Sequence, residues 1–366
     1  MPPDHQQLSD LQLAVMRALW DRGEATVLDH LKQALVFNLE RCGAHGLPCG
    51  LDADWNDCLR LGYKGESTFV TFQVRHGLLA YADICSRLGR DDEAQWALEQ
   101  CAQLDECIKA STWDGQWFIR AYREDGSIIG THADSEGSIF LNPQSWAVIS
   151  GAATDEQALT AMESVHERLA TPFGVMVCTP PFRATDYHVV RAVLINEGQK
   201  ENGGIFSHPQ GWAVMAETML GHGARALRYY RAYMPAAYNE RAEIRQIEPY
   251  VHCQSTHSTF SRRYGASRIP WLSGTAAWSY VAGTQYILGV RPEYDGLCVD
   301  PCVPEDWKEF TVVRRFRGRR CTITVRNPDG VEKGVAELTV NGEKIEGTIV
   351  PAAKLTDETE IVAVMG

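Results

Sequence analysis

The chain has 366 residues, too many for one small domain and suited to a large domain followed by a smaller one. Apolar residues make up 45% and charged residues 22%, which allows a sizeable core and argues against wholesale disorder. A net charge of −12 speaks against nucleic acid as the partner, while a few cations in a cleft can still hold an anion at short range.

The start, MPPDHQQLSDLQ, has neither a basic n-region nor an apolar h-region, so no secretory signal is expected. Apolar runs stay short of the ~18 residues a membrane helix needs, and no membrane partner is expected. The 11 cysteines are odd in number, irregularly spaced and free of any C-x-x-C pair. They read as reduced, buried thiols of a cytoplasmic protein, with no metal site.

Apolar residues at three- and four-residue spacing predict helices over 8–20 and 25–42, the second with the stripe Leu28, Leu31, Leu35 and Leu39. A loop rich in Gly, Pro and Asp follows over 43–66. Helices are expected over 67–88 and 91–110, divided at Gly89. Residues 113–129 read as a hairpin turning at Asp125-Gly126. Residues 142–168 hold two helices split near Gly151, with Thr154 starting the second. Residues 171–207 show little regular pattern, and a loop that long in a compact region is usually functional. Helices resume over 209–221, 223–234 and 271–288. After Pro292, strands are expected over 311–316, 321–326, 335–340 and 360–365. The expected fold is mainly α: an α/α toroid over 1–292, then a small β-sandwich over 293–366.

Three polar clusters carry the chemistry. Asp52-Ala53-Asp54-Trp55-Asn56-Asp57 sets three acids around an indole. A calcium loop fits poorly, because Trp55 interrupts the alternation and Tyr63 stands where the bidentate Glu belongs. An Asx-rich turn and a sugar site both remain open, the indole favouring the sugar. Lys200-Glu201-Asn202-Gly203-Gly204 is either a surface ion pair or a backbone shaped for close ligand approach. His208 just beyond is either a packing residue or part of an anion pocket. Glu248–Gln254 and Trp271–Thr275 form the third cluster, where Ser273-Gly274-Thr275 reads as an N-cap or a phosphate seat.

Seven ordered segments resemble the inverting disaccharide phosphorylases of glycoside hydrolase family 94, the cellobiose and chitobiose phosphorylases. They are DWND at 54–57, NPQSWAVISG at 142–151, KENGGIFSH at 200–208, EPYVHCQ at 248–254, WLSGTAAW at 271–278, LGVRPEYDGLCVDPCVP at 288–304 and RRFRG at 314–318. The resemblance implies an (α/α)6 barrel followed by a β-sandwich. It makes Asp57 the general acid. It gives Trp55, Lys200 and Glu201 to the donor sugar, and His208, Gln254, Ser273 and Gly274 to inorganic phosphate. Arg191, where glucose-accepting relatives tend to carry an acid, suits an anionic acceptor such as an aldonate, or else pairs within its own loop.

The implied reaction is inverting phosphorolysis of a β-linked, cellobiose-like glucosyl disaccharide to α-glucose 1-phosphate and a free acceptor sugar, with no cofactor. An inverting hydrolase on the same toroid and an inactive sugar-binding remnant are the rivals. Full-length relatives open with a β-sandwich, a linker and the first barrel helices, and form dimers. The chain is therefore expected to be a fragment with an incomplete barrel, poorly active unless another chain supplies the rest.

Overall fold

Helix signals and burial together explain how the chain layers itself. The computed structural model describes residues 26–52 and 54–366; the helix expected over 8–20 lies outside them. Helix α1 (Val27–Leu39) starts at Thr26, which exchanges capping bonds with Asp29. Of its stripe, Leu28 is buried and Leu35 and Leu39 pack on the core, but Leu31 faces solvent. Helices α2 (Thr68–Arg87) and α3 (Asp91–Ser111) form a hairpin through Gly89. Strand β1 (Glu66–Ser67) pairs with the hairpin of β2 (Ala121–Tyr122) and β3 (Ile128–Ile129).

Strand β4 (Ile139–Phe140) runs into α4 (Leu141–Ile149), and α5 (Asp155–Leu169) follows from the capping box of Thr154 and Gln157. The 170–209 stretch holds β5 (Ala170–Thr171), β6 (Gly174–Val175), β7 (Cys178–Thr179), a 3-10 turn at Arg191–Leu194 and β8 (Ile205–Phe206). Next come α6 (Gln210–Met219), α7 (Gly223–Tyr233), α8 (Ala242–Arg245), β9 (Cys253–Thr256) and β10 (Ser267–Pro270). Helix α9 (Thr275–Val281) continues as a π-helical turn to Ile287. It starts four residues later than the pattern predicts, because Ser273 and Gly274 form its entry.

The helices make two layers. α2, α4, α6 and α9 lie side by side, and α3, α5 and α7 back the first three in turn. The sequences fit those places. Every residue of α4, and Gln210 to Thr218 of α6, is buried. Outer α5 buries only Ala158, Ala161, Met162, Val165 and Leu169, one stripe at helical spacing. Each inner helix gives one aromatic ring to a continuous ladder: Phe69, Trp146, Trp212 and Trp278, with successive centroids 6.0, 5.8 and 5.8 Å apart.

From Val290 on the chain is β. Strands β11 (Val290–Pro292), β12 (Gly296–Val299) and β17 (Ile349–Pro351) form one sheet. Strands β13 (Glu309–Phe316), β14 (Arg319–Arg326), β15 (Glu337–Val340), β16 (Glu343–Ile345) and β18 (Glu358–Val364) form a second, in the order β13-β14-β18-β15-β16. Only β14 and β18 run parallel in it. Alternation sets its inner face: Cys321, Ile323 and Val325 of β14 are buried opposite Ile361 and Ala363 of β18. Among the described residues no helix is long and apolar enough to cross a membrane. All eleven cysteines are free thiols, eight of them buried.

Candidate active site

The loop before α2 turns sharply at Leu51 and Asp52, both at positive φ (54° and 80°). Its three acids then part company. Asp52 pairs with Arg60 at 2.7 Å. Asp54 is driven inward onto Arg120, 2.5 Å away, and both side chains are sealed from solvent. The Ser67 hydroxyl that caps α2 donates to Asp54. Arg120 also donates to Asn56 Oδ1 from Nε (3.2 Å) and Nη2 (2.7 Å). Burial pushes the Asp54 carboxyl up, but the charge and hydrogen bonds of Arg120 and the bond from Ser67 outweigh it and hold its pKa below the ordinary value. Asp54 is thus a structural anchor, and Asp57 is left exposed, with no hydrogen bond among the described residues.

Glu201 closes on the same loop. Its Oε2 accepts from Asn56 Nδ2 (3.4 Å) and from the Cys58 amide (3.1 Å), so it brackets Asp57 from both neighbours. Burial raises the Glu201 pKa; the Cys58 amide and Asn56 pull it down and the Asp57 charge pushes it up, leaving it net raised. A Lys200–Glu201 surface pair is not what forms. Lys200 sits at φ +44°, and a Cβ on Gly204 would meet its amide nitrogen at 2.5 Å. Asn202 is fully buried and spends its amide on Phe182 and Ile195, holding the loop and not a ligand. Arg191 is exposed and has no carboxylate within 4.0 Å among the described residues, so the expected internal pairing is absent. Its amide donates to the Cys58 carbonyl at 2.7 Å, which sets it beside the Asp57 loop.

The third group is assembled by the sheet β10-β9-β8. Phe206 of β8 lies opposite Ser255, and Pro270 of β10 opposite Cys253. His208, Gln254 and Ser273 therefore emerge at one end of adjacent strands. A Cβ on Gly274 would lie 3.5 Å from His208 Nε2. The Trp55 indole N–H donates to His208 Nδ1 at 2.9 Å. An indole nitrogen only donates, so Nδ1 carries the lone pair and the ring proton sits on Nε2, facing Gly274. Burial lowers the His208 pKa and so favours the neutral ring. Among the described residues Gln254 Oε1 is buried without a partner, and Ser273 Oγ accepts from the Thr275 amide at 3.1 Å.

A cleft of about 390 Å³ opens beside Trp55 and His208, walled by Asp54, Phe69, Trp212 and Trp278. The largest cavity described, about 1020 Å³, lies between α5, α7 and Trp307 and holds none of these residues.

Residues 10–289 match the family described as "Glycosyl hydrolase 94 superfamily, catalytic domain". The chain belongs to this family. It is 42% identical over 348 residues to an N,N'-diacetylchitobiose phosphorylase of Vibrio proteolyticus, covering 94% of this chain and 43% of the relative. It is 33% identical over 335 residues to a solabiose phosphorylase of Paenibacillus borealis, covering 90% and 44%. The chain thus spans less than half the length of these curated relatives. Among solved structures, one titled "Sialidase" shares its fold at TM-score 0.60 and 14% identity, covering 91% of this chain and 30% of that one.

Within this glycosyl hydrolase 94 chain, Trp55, Asp57, Glu201 and Arg191 gather at one loop, and His208, Gln254, Ser273 and Gly274 at one sheet end. Trp55 joins the two groups. Sequence reasoning missed Arg120, Asn56 and Cys58. Arg120 carried a signal, a cation alternating into the apolar run Trp117-Phe118-Ile119-Arg120-Ala121, where a buried partner is required.

Proposed function

We propose that the chain carries the catalytic face of a disaccharide phosphorylase, which cleaves a β-linked disaccharide with inversion. Asp57 gives its proton to the glycosidic oxygen, the C1–O bond breaks, and a phosphate oxygen bonds to C1 from the opposite face. The products are an α-sugar 1-phosphate and a free acceptor sugar. Trp55, Lys200 and Glu201 hold the donor sugar; His208, Gln254, Ser273 and Gly274 hold phosphate; Arg191 lies toward the acceptor. We read the two helix layers as part of an (α/α)6 toroid, with the two sheets as its β-sandwich companion.

The hydrogen bond from Trp55 to His208 carries the reading. It leaves Nε2–H as a donor aimed at the Ser273-Gly274 turn, which suits an anion. Glu201 is engaged beside Asp57 and is therefore poorly suited to activate water on the far face, as an inverting hydrolase requires. Relatives named for N,N'-diacetylchitobiose share 42% and 39% identity, so this acetamido disaccharide ranks ahead of cellobiose as first substrate. A relative named cellobionic acid phosphorylase, at 29%, keeps an anionic acceptor for Arg191 in view.

The test incubates the chain with diacetylchitobiose, cellobiose and cellobionate, with and without phosphate. Sugar 1-phosphate formed only with phosphate supports the reading. Sugar release that ignores phosphate makes it a hydrolase, and sugar binding without turnover makes it a binding remnant. Cellobionate cleaved no faster than cellobiose removes the aldonate role of Arg191.

A further inference from the structure

Arg245 ends α8, and its chemistry is out of keeping with its place. It is 3% exposed, yet no carboxylate lies within 4.0 Å among the described residues. Guanidinium stays charged in proteins, and a buried charge without a counter-ion costs several kcal/mol. One nitrogen, Nη1, donates to Thr256 Oγ1 at 3.3 Å. Nε is buried with no partner, and Nη2 has none among the described hydrogen bonds. Nε is sealed, so Nη2 is the donor left open to an oxyanion, with the guanidinium charge behind it.

That side chain lines a cavity of about 80 Å³, walled by Pro235, Tyr238, Asn239, Ala242, Ile247, Glu248 and Pro249. A single water needs about 10–15 Å³ on this measure, so the space suits one small tetrahedral ion. Glu248, in the same wall, also accepts from the Trp271 indole at 3.4 Å. A carboxylate in the wall repels a fully ionised anion but accepts the P–O–H of a protonated one. Phosphate keeps such a hydrogen near neutrality and sulfate does not.

We propose that Arg245 and Glu248 form a second phosphate site, separate from the His208 seat. Arg245 Nη2 donates to one phosphate oxygen, and Glu248 accepts from the phosphate hydroxyl. The site selects phosphate over sulfate. Glu248 reaches Trp271, two residues before Ser273, so occupancy bears on the turn that enters α9.

Calorimetric titration of the chain with inorganic phosphate and with sulfate, in chloride-free buffer, tests this. Wild type is expected to take phosphate at the Arg245 site and to take sulfate there roughly tenfold more weakly or worse. R245M should lose that site while H208N keeps it. E248Q, which leaves the buried cation in place, should lose the preference for phosphate over sulfate. Phosphate binding unchanged in R245M, or equal affinity for the two ions in wild type, overturns the proposal. The separate reading of His208 as the substrate phosphate seat falls if H208N leaves every phosphate site intact, whatever R245M does.

Discussion

The helical part and the β part bury their polar groups differently. Among the described residues, fourteen buried side-chain atoms between His30 and Ser279 lack a hydrogen-bond partner, and none lies in the β part after Val290. The β part is built by alternation, with apolar residues facing in and polar ones out. The helical part carries Asp54, Arg120, Asn56, Asn142, Gln144 and Gln210 inside and uses them as brackets between loops. Buried polar atoms left without partners are costly, and proteins keep them mainly where a ligand or water completes them. The contrast separates a part that leaves polar atoms open inside it from a part that closes them.

Five measurements sharpen or break that contrast. D57N changes an exposed group with no hydrogen bond among the described residues; turnover in the phosphorolysis assay should fall about 10²–10⁴-fold while the melting temperature stays put. R120M strands the buried Asp54 charge, so urea unfolding should show a loss of about 3–5 kcal/mol, and adding D54L should restore part of it. A loss below about 1 kcal/mol would make Arg120 an ordinary surface-type pair. H208N removes the Nε2–H donor, and KM for phosphate should rise roughly tenfold with a smaller change in kcat. In the β part, I323V should cost about 0.5–1.5 kcal/mol by urea unfolding and leave KM alone; a shifted KM would join the β part to the site.

The smallest effect is with pH. Burial lowers the pKa of His76, His166, His208, His252 and His257 in the fold, while the bond to Glu217 raises that of His222. Five histidines thus bind protons less readily folded than unfolded. Their contribution is complete above the unfolded value of about 6.5 and is lost as pH falls through it toward the folded values. His222 works in the opposite direction. Melting temperatures followed from pH 7.5 to 5 should decline, and a rise would contradict the burial of these rings.

Much of this was legible in the sequence. Four strands of the β part, β13, β14, β15 and β18, follow from alternation, while β11, β12, β16 and β17, of three or four residues each, are too short to show it; Thr154 and Gly89 punctuate the helices where the pattern puts them. The inner helices were legible as helices but not as inner ones, because an all-round buried helix such as Leu141–Ile149 loses its one-sided stripe. The candidate site residues were named by resemblance, and their packing partners were not. Arg120 meets Asp54 and Asn56 across 66 and 64 residues, and Trp55 meets His208 across 153. No local spacing encodes such pairs; only the packed loops bring them together.

Cys58 has a consequence for altering this protein. Its amide holds Glu201 and its carbonyl takes the amide of Arg191, while Leu59 bridges to Val190. Asp57 is therefore stitched by its next neighbour to the 188–195 segment. A graft of that segment from a relative cannot be a local exchange. It moves Asp57 as well, and Glu201 has to be re-fitted before the effect of the graft can be judged alone.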